Sequence, residues 1–157
     1  MPPYVIRLAQ DEDRYPLAYL FAAVAEERDG IATEPPVDID ARAARWTLDE
    51  TIVAESAAEI IGSIHVGGGG GHGFGELGMM VAAGWRGRGV GSELLFAAIE
   101  SARAKGLHKL SLSVFSHNAA GIALYRKFGF VEEGRRVKQF RRQSGELWDA
   151  VDMGLLL

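Results

Sequence analysis

The segment "WRGRGVGSELLFAAIESARAKG", residues 85–106, constrains the fold of this chain more than any other stretch. Its second half is one amphipathic helix. Gly91, Leu94, Leu95, Ala98, Ile99 and Ala102 recur at the spacing that lines a single helical face, and Gly106 stops it. "RGRGVG" (Arg86, Gly87, Arg88, Gly89, Val90, Gly91) is therefore a glycine-rich turn at a helix N-terminus. There the unpaired backbone N–H groups and the positive end of the helix dipole favour an anion. Glycines at 87, 89 and 91 remove side chains that would hold an anion off, and Arg86 and Arg88 add charge. A ligand carrying a diphosphate fits such a turn.

Three kinds of diphosphate-binding turn can be compared with it. A P-loop needs G-x-x-x-x-G-K-[ST], which does not occur. A dinucleotide-binding turn needs G-x-G-x-x-G. Gly89 and Gly91 supply two glycines, but Leu94 stands at the third position. The acid expected at the end of the next strand is missing, since that strand ends "SVFS". What remains is the [R/Q]-x-x-G-x-[G/A] turn, matched by Arg86, Gly89 and Gly91. Alone, this pattern is weak, because glycine-rich structural turns between a strand and a helix are common.

Around the turn the chain alternates strands and helices. Residues 4–8 read as a strand. Residues 11–30 read as a helix with acids in its first turn, Pro16 near its start and Gly30 as its stop. A loop (31–38) leads to a short amphipathic helix (39–50) and a strand hairpin (51–56 and 59–66). "GGGGGHGFG" (67–75) is a hairpin loop rather than a phosphate cradle, because no helix follows it. The strand 74–81, the helix 89–105 and the strand 107–115 predict a βαβ unit with a right-handed crossover. In the last of these strands Leu110, Leu112 and Val114 alternate with Ser111 and Ser113. A helix over 118–129, capped by Asn118 and stopped by Gly129, precedes strands over 130–140 and 147–157. One α/β domain spanning 1–157 follows, with a mixed central sheet of about seven strands flanked by about four helices.

A second motif follows one strand after the turn. In "NAAGIALYRKFGF" (118–130), Asn118 and Tyr125 are seven residues apart and share a helical face, with Gly121 leaving space between them. Taken singly, Asn118 reads as a cap and Tyr125 as a core residue; together with the upstream turn they point to a site.

The joint pattern, strongest in "ELGMMVAAGWRGRGVGSELL" and "NAAGIALYRKFGFVEEG", resembles the GNAT superfamily of N-acetyltransferases over about residues 60–153. The first third agrees only in its order of elements. The resemblance implies a GNAT-like fold and acetyl-CoA-dependent transfer of an acetyl group to an amine. It places the CoA diphosphate at 86–91 and pairs the backbone of Met79, Met80 and Val81 with the pantetheine arm like an added strand. It sets Asn118 on the same arm and Tyr125 facing the thioester sulfur. Gly121 departs from the family, which usually has alanine there.

The chain has no cysteine and no G-x-S-x-G elbow, so direct attack by the bound amine is simpler than an acyl-enzyme. The amine must lose a proton before it attacks, and the departing thiolate must gain one. Tyr125 can supply the second. For the first, Glu76 leads, on the strand beside the expected thioester. Glu26, Glu27 and Glu34 are rivals, and a water relay to any of them is open. Glu27 and Glu34, at and after the end of the first helix, are expected to line the acceptor pocket. With Glu26 and Asp29 they would make it acidic and favour a small cationic or zwitterionic amine. Acetylation of a protein N-terminus or lysine, and CoA binding without catalysis, are the alternatives.

The net charge of −4 argues against a general nucleic-acid binder, and "RRVKQFRR" (135–142) reads as the solvated face of a terminal hairpin. Histidines at 65, 72, 108 and 117 lack metal-ligand spacing on one element, so no metal is expected. No apolar run approaches a membrane span and no leader is evident, which makes a cytoplasmic protein the expectation, with a homodimer left open.

Overall fold

The computed structural model describes residues 3–157. Among them, seven strands form one mixed sheet in the order β1-β2-β3-β4-β5-β7-β6. In chain order the elements are β1 (Val5–Leu8), α1 (Arg14–Glu26), α2 (Ile39–Ala44), β2 (Thr51–Ser56), β3 (Glu59–Gly68), β4 (Phe74–Val81), α3 (Val90–Ala104), β5 (Lys109–Phe115), α4 (Ala119–Lys127), β6 (Val131–Arg141) and β7 (Leu147–Leu156). The expected α/β class, seven strands and four helices are all present.

Each sheet face has its own core. On one face Leu94, Leu95, Ala98 and Ile99 of α3 pack with Ile64, Leu77, Leu110, Leu112 and Met153. On the other, Leu17, Leu20 and Val24 of α1 pack with Trp46, Val53 and Met80. The helix periodicity read from residues 91–102 matches the buried positions, with one change. Val90 is buried at 1% exposure, whereas Gly91 turns toward a cleft.

Several boundaries differ from the sequence reading. The first helix ends at Glu26, not Gly30, and Arg28 takes the left-handed conformation with φ 55°. The Arg28 side chain is held across the molecule by Gln143 and Glu34. The second helix keeps only Ile39–Ala44, and Leu48–Glu50 forms a single 3₁₀ turn. β3 runs two residues further than expected, to Gly68, so the glycine-rich hairpin loop is shorter. Pro16 lies in the first turn of α1, where its missing N–H breaks no helical bond.

The first helical turn is anchored by Asp13, which is 3% exposed. Its carboxylate accepts two hydrogen bonds from the Arg7 guanidinium, at 2.7 and 2.9 Å, and one from the Gln10 N–H at 2.7 Å. The Arg7 contact holds the Asp13 carboxyl below the usual carboxylate range. A depressed folded-state value makes the stabilisation complete above pH ~4 and lost as the pH falls through that value. Asp13→Asn is expected to cost about 2 kcal/mol at neutral pH. In urea melts, the gap between variant and wild type should narrow as the buffer is acidified.

The decisive feature for function is how β4 and β5 part. They are parallel neighbours for only three pairs, Phe74↔Lys109, Gly75↔Leu110 and Glu76↔Ser111. Beyond Glu76, β4 continues to Val81 paired only with β3, and β5 continues to Phe115 paired only with β7. The sheet therefore opens as a wedge with its vertex at Glu76 and Ser111.

Candidate active site

A cleft of about 510 Å³ fills the open end of the wedge. The β4 backbone at Met79, Met80 and Val81 forms one wall, α4 the opposite one through Asn118, Gly121 and Tyr125, and the glycine turn closes one end. Among the described residues no strand pairs with the wedge-side edge of β4 beyond Glu76, so an extended ligand arm can pair with it as an added strand.

The turn has the geometry of an anion site. Gly89 is the N-cap of α3 with φ +88°, and Gly87 has φ +73°, both left-handed values that side chains rarely adopt. Arg86, Gly87, Gly89 and Gly91 line the cleft. Arg88 does not: its guanidinium stacks over Trp85, 4.1 Å from the ring centroid, and Trp85 meets Tyr4 edge-on. Val90 offers only its backbone, because its side chain is in the core. Gly89→Val puts a β-branched residue at a left-handed position, at a strain of ~1–3 kcal/mol that a domain of ordinary stability survives. Calorimetry should then show acetyl-CoA affinity at least tenfold weaker on a folded protein.

On α4, the Asn118 carboxamide oxygen accepts the Gly121 N–H at 2.9 Å, as the expected cap. A Cβ on Gly121 would sit 2.8 Å from the Asn118 side-chain nitrogen, so the glycine lets Asn118 fold over the helix start. Tyr125 is 8% exposed and packs against Phe130, with ring centroids 5.7 Å apart. Burial pushes its hydroxyl pKa up to about 12. Among the described residues that hydroxyl has no hydrogen-bond partner, yet it is not sealed in, and the residue lines the cleft. Tyr125 thus presents a neutral hydroxyl at the wall of the wedge.

Glu76 does not share this cleft. At the vertex its side chain points to the other side of the sheet, into a second, polar cavity of about 620 Å³. Ser111, Ser113, Asp152, Arg136 and His65 line the same cavity. Among the described residues Glu76 has no ion pair, while Asp152 is held by Arg136 at 2.9 Å and Glu133 by Lys109 at 2.8 Å. His65 is paired with Gly78 across the β3–β4 ladder, one diagonal step from Glu76. Desolvation, with a smaller contribution from Arg42, lowers the His65 pKa, so its imidazole is neutral at neutral pH. The histidine carried no sequence signal: it is a single residue of an alternating strand, and only the ladder brings it near Glu76.

The two acids expected in an acceptor pocket are both engaged elsewhere. Glu27 lies in the first cleft and takes both terminal nitrogens of Arg86, at 2.5 and 2.9 Å. Glu34, 12% exposed, accepts the Gln143 N–H at 2.7 Å and lies 3.7 Å from both Arg28 and the buried Arg142. Arg142 stacks over Trp148 and donates to the Ala32 carbonyl at 2.8 Å. Asp29 meets His117 at 2.9 Å. These contacts fasten the α1–α2 loop to the β6–β7 turn. Glu27 and Glu34 are thus each paired with arginine, and Glu27 and Asp29 line the first cleft. Among the described residues no group of His, Cys, Asp and Glu could hold a metal ion, and no helix is long and apolar enough to cross a membrane.

Residues 10–130 match the sequence model of the acetyltransferase (GNAT) family. Over 138 residues the chain is 36% identical to an L-methionine sulfoximine/L-methionine sulfone acetyltransferase of Pseudomonas paraeruginosa, covering 81% of this chain and 79% of the relative. Among solved structures, the ribosomal-protein-alanine N-acetyltransferase of Brucella melitensis superposes with a TM-score of 0.88 at 30% identity, over 98% of this chain and 99% of that one. An N-acetyltransferase from Staphylococcus aureus Mu50 gives a TM-score of 0.89 at 25% identity, over 98% of both chains.

Proposed function

The chain belongs to the acetyltransferase (GNAT) family and is an N-acetyltransferase, and from that premise we propose that it moves the acetyl group of acetyl-CoA directly to the amine of a small amino acid in a ternary complex. The wedge between β4 and β5 carries this reading, because a cleft lies along its open end and a polar cavity is lined by the residues of its vertex, Glu76 and Ser111. The glycine turn and the α3 N-terminus hold the diphosphate, chiefly through backbone N–H groups, since Arg86 is already shared with Glu27. The pantetheine arm lies along Met79, Met80 and Val81, beside Asn118, and brings the thioester to the vertex. The acceptor amine enters from the polar cavity, and Glu76 takes its proton directly or through water. Nitrogen attacks the thioester carbonyl, the C–S bond breaks, and the Tyr125 hydroxyl protonates the leaving thiolate.

One comparison supports a small acceptor over a protein N-terminus. The Pseudomonas relative, 36% identical, acts on amino-acid derivatives. A free-thiol release assay with acetyl-CoA against L-amino acids, polyamines and an alanine-terminated peptide tests this. Turnover confined to amino acids is expected. Preference for the peptide would overturn the reading.

A further inference from the structure

We propose that Arg136 is the residue that recognises the carboxylate of the acceptor, an inference that rests on the amino-acid reading above. Strand register places it. Glu76 is level with Ser111, and two residues further along β5, Ser113 is level with Asp152 on β7. Asp152 therefore stands one side-chain period beyond the vertex, at the height where the wedge has begun to open. The Arg136 side chain reaches over to Asp152, donating from Nε to its two carboxylate oxygens at 3.1 and 2.9 Å.

This contact uses only Nε. Among the described residues the two terminal nitrogens of Arg136 have no partner, and the residue lines the same cavity as Glu76. Asp152 thus fixes the guanidinium while leaving free the pair of N–H donors that matches a carboxylate. Of the other cations nearby, Lys109 is bound to Glu133 at 2.8 Å, and the Arg42 guanidinium lies over the rings of Phe21 and Trp46. Strands lie roughly 5 Å apart, so a guanidinium above β7 is one strand from β5 and from the edge of the wedge. In an α-amino acid the nitrogen and the carboxylate are joined through a single carbon. An amine set at the wedge consequently brings its carboxylate toward β7. The cavity then reads the acceptor at both ends, with Glu76 for the amine and Arg136 for the acid.

The test compares L-methionine sulfone with 3-(methylsulfonyl)propylamine, the same molecule without its carboxylate, using wild type, Arg136→Gln and Arg136→Lys. Arg136 is half-exposed, so neither substitution opens a cavity in the core. Arg136→Gln is expected to raise the KM for the amino acid at least tenfold. The constants for the amine and the KM for acetyl-CoA should stay within twofold, and Arg136→Lys should recover part of the loss. Equal change on both acceptors, or no change on either, overturns the assignment. A wild-type enzyme that ignores L-methionine sulfone and every L-amino acid, yet acetylates other amines, overturns the acceptor reading itself and this one with it.

Discussion

Tyr125→Phe is expected to lower kcat about 10²-fold, within the range of general acid catalysis, while the affinity for acetyl-CoA stays nearly constant. The ring packs against Phe130 and fills the wall of the cleft, and phenylalanine keeps that packing. Because the hydroxyl has no partner among the described residues, its removal strands no buried donor or acceptor there. What is lost is one proton, held on a group whose pKa burial has raised to about 12. Such a group stays protonated through the whole ordinary assay range. An alkaline limb below pH 10 in the wild-type profile must therefore come from another residue, and it should persist in the variant. Pre-steady-state measurements would separate chemistry from product release. Wild-type turnover under chemistry-limited conditions would remove Tyr125 from the mechanism.

The second large effect is expected at the vertex. Glu76→Gln keeps the shape of the side chain and removes its ability to accept a proton, so kcat should fall by about 10²-fold or more. The acidic limb of the pH–rate profile should move with it. Glu76 is exposed and has no ion pair among the described residues, so urea melts of this variant should match the wild type within about 0.5 kcal/mol. An unmoved limb would place the base elsewhere. The structure narrows the replacements: Glu27 and Glu34 are held by arginines, whereas His65 is neutral and faces the same cavity. The matching His65→Gln variant is the control, and loss of the acidic limb there instead would reassign the role.

Much of this site was legible in the chain. The turn at 86–91 announces itself because glycine takes the left-handed backbone far more readily than other residues, and Gly87 and Gly89 adopt that backbone. The pairing of Asn118 with Tyr125 follows from helical geometry, and both line the cleft. The alternation of Leu110, Leu112 and Val114 with Ser111 and Ser113 correctly sorted two faces of β5, one into the core and one toward the polar cavity. Periodicity and backbone preference are short-range, and short-range rules are written into a few consecutive residues.

The partners of the charged side chains were not legible. Glu27 and Arg86 are 59 residues apart in the chain, and Glu34 and Gln143 are 109 apart. Nothing local distinguishes a glutamate that will meet an arginine from one that will face a substrate. The same holds for Arg136. In the sequence it is one of several basic residues on a terminal hairpin, and the β6–β7 register turns it toward Asp152. By itself the sequence determined the family, the layered α/β fold, the turn and the two faces of α4. The tertiary structure alone decided where β4 and β5 separate, which carboxylates are neutralised and which groups share a cavity with Glu76. Those outcomes depend on strand order and ladder register, which bring remote residues within a few ångströms, and a charge acquires its role only from what stands opposite it.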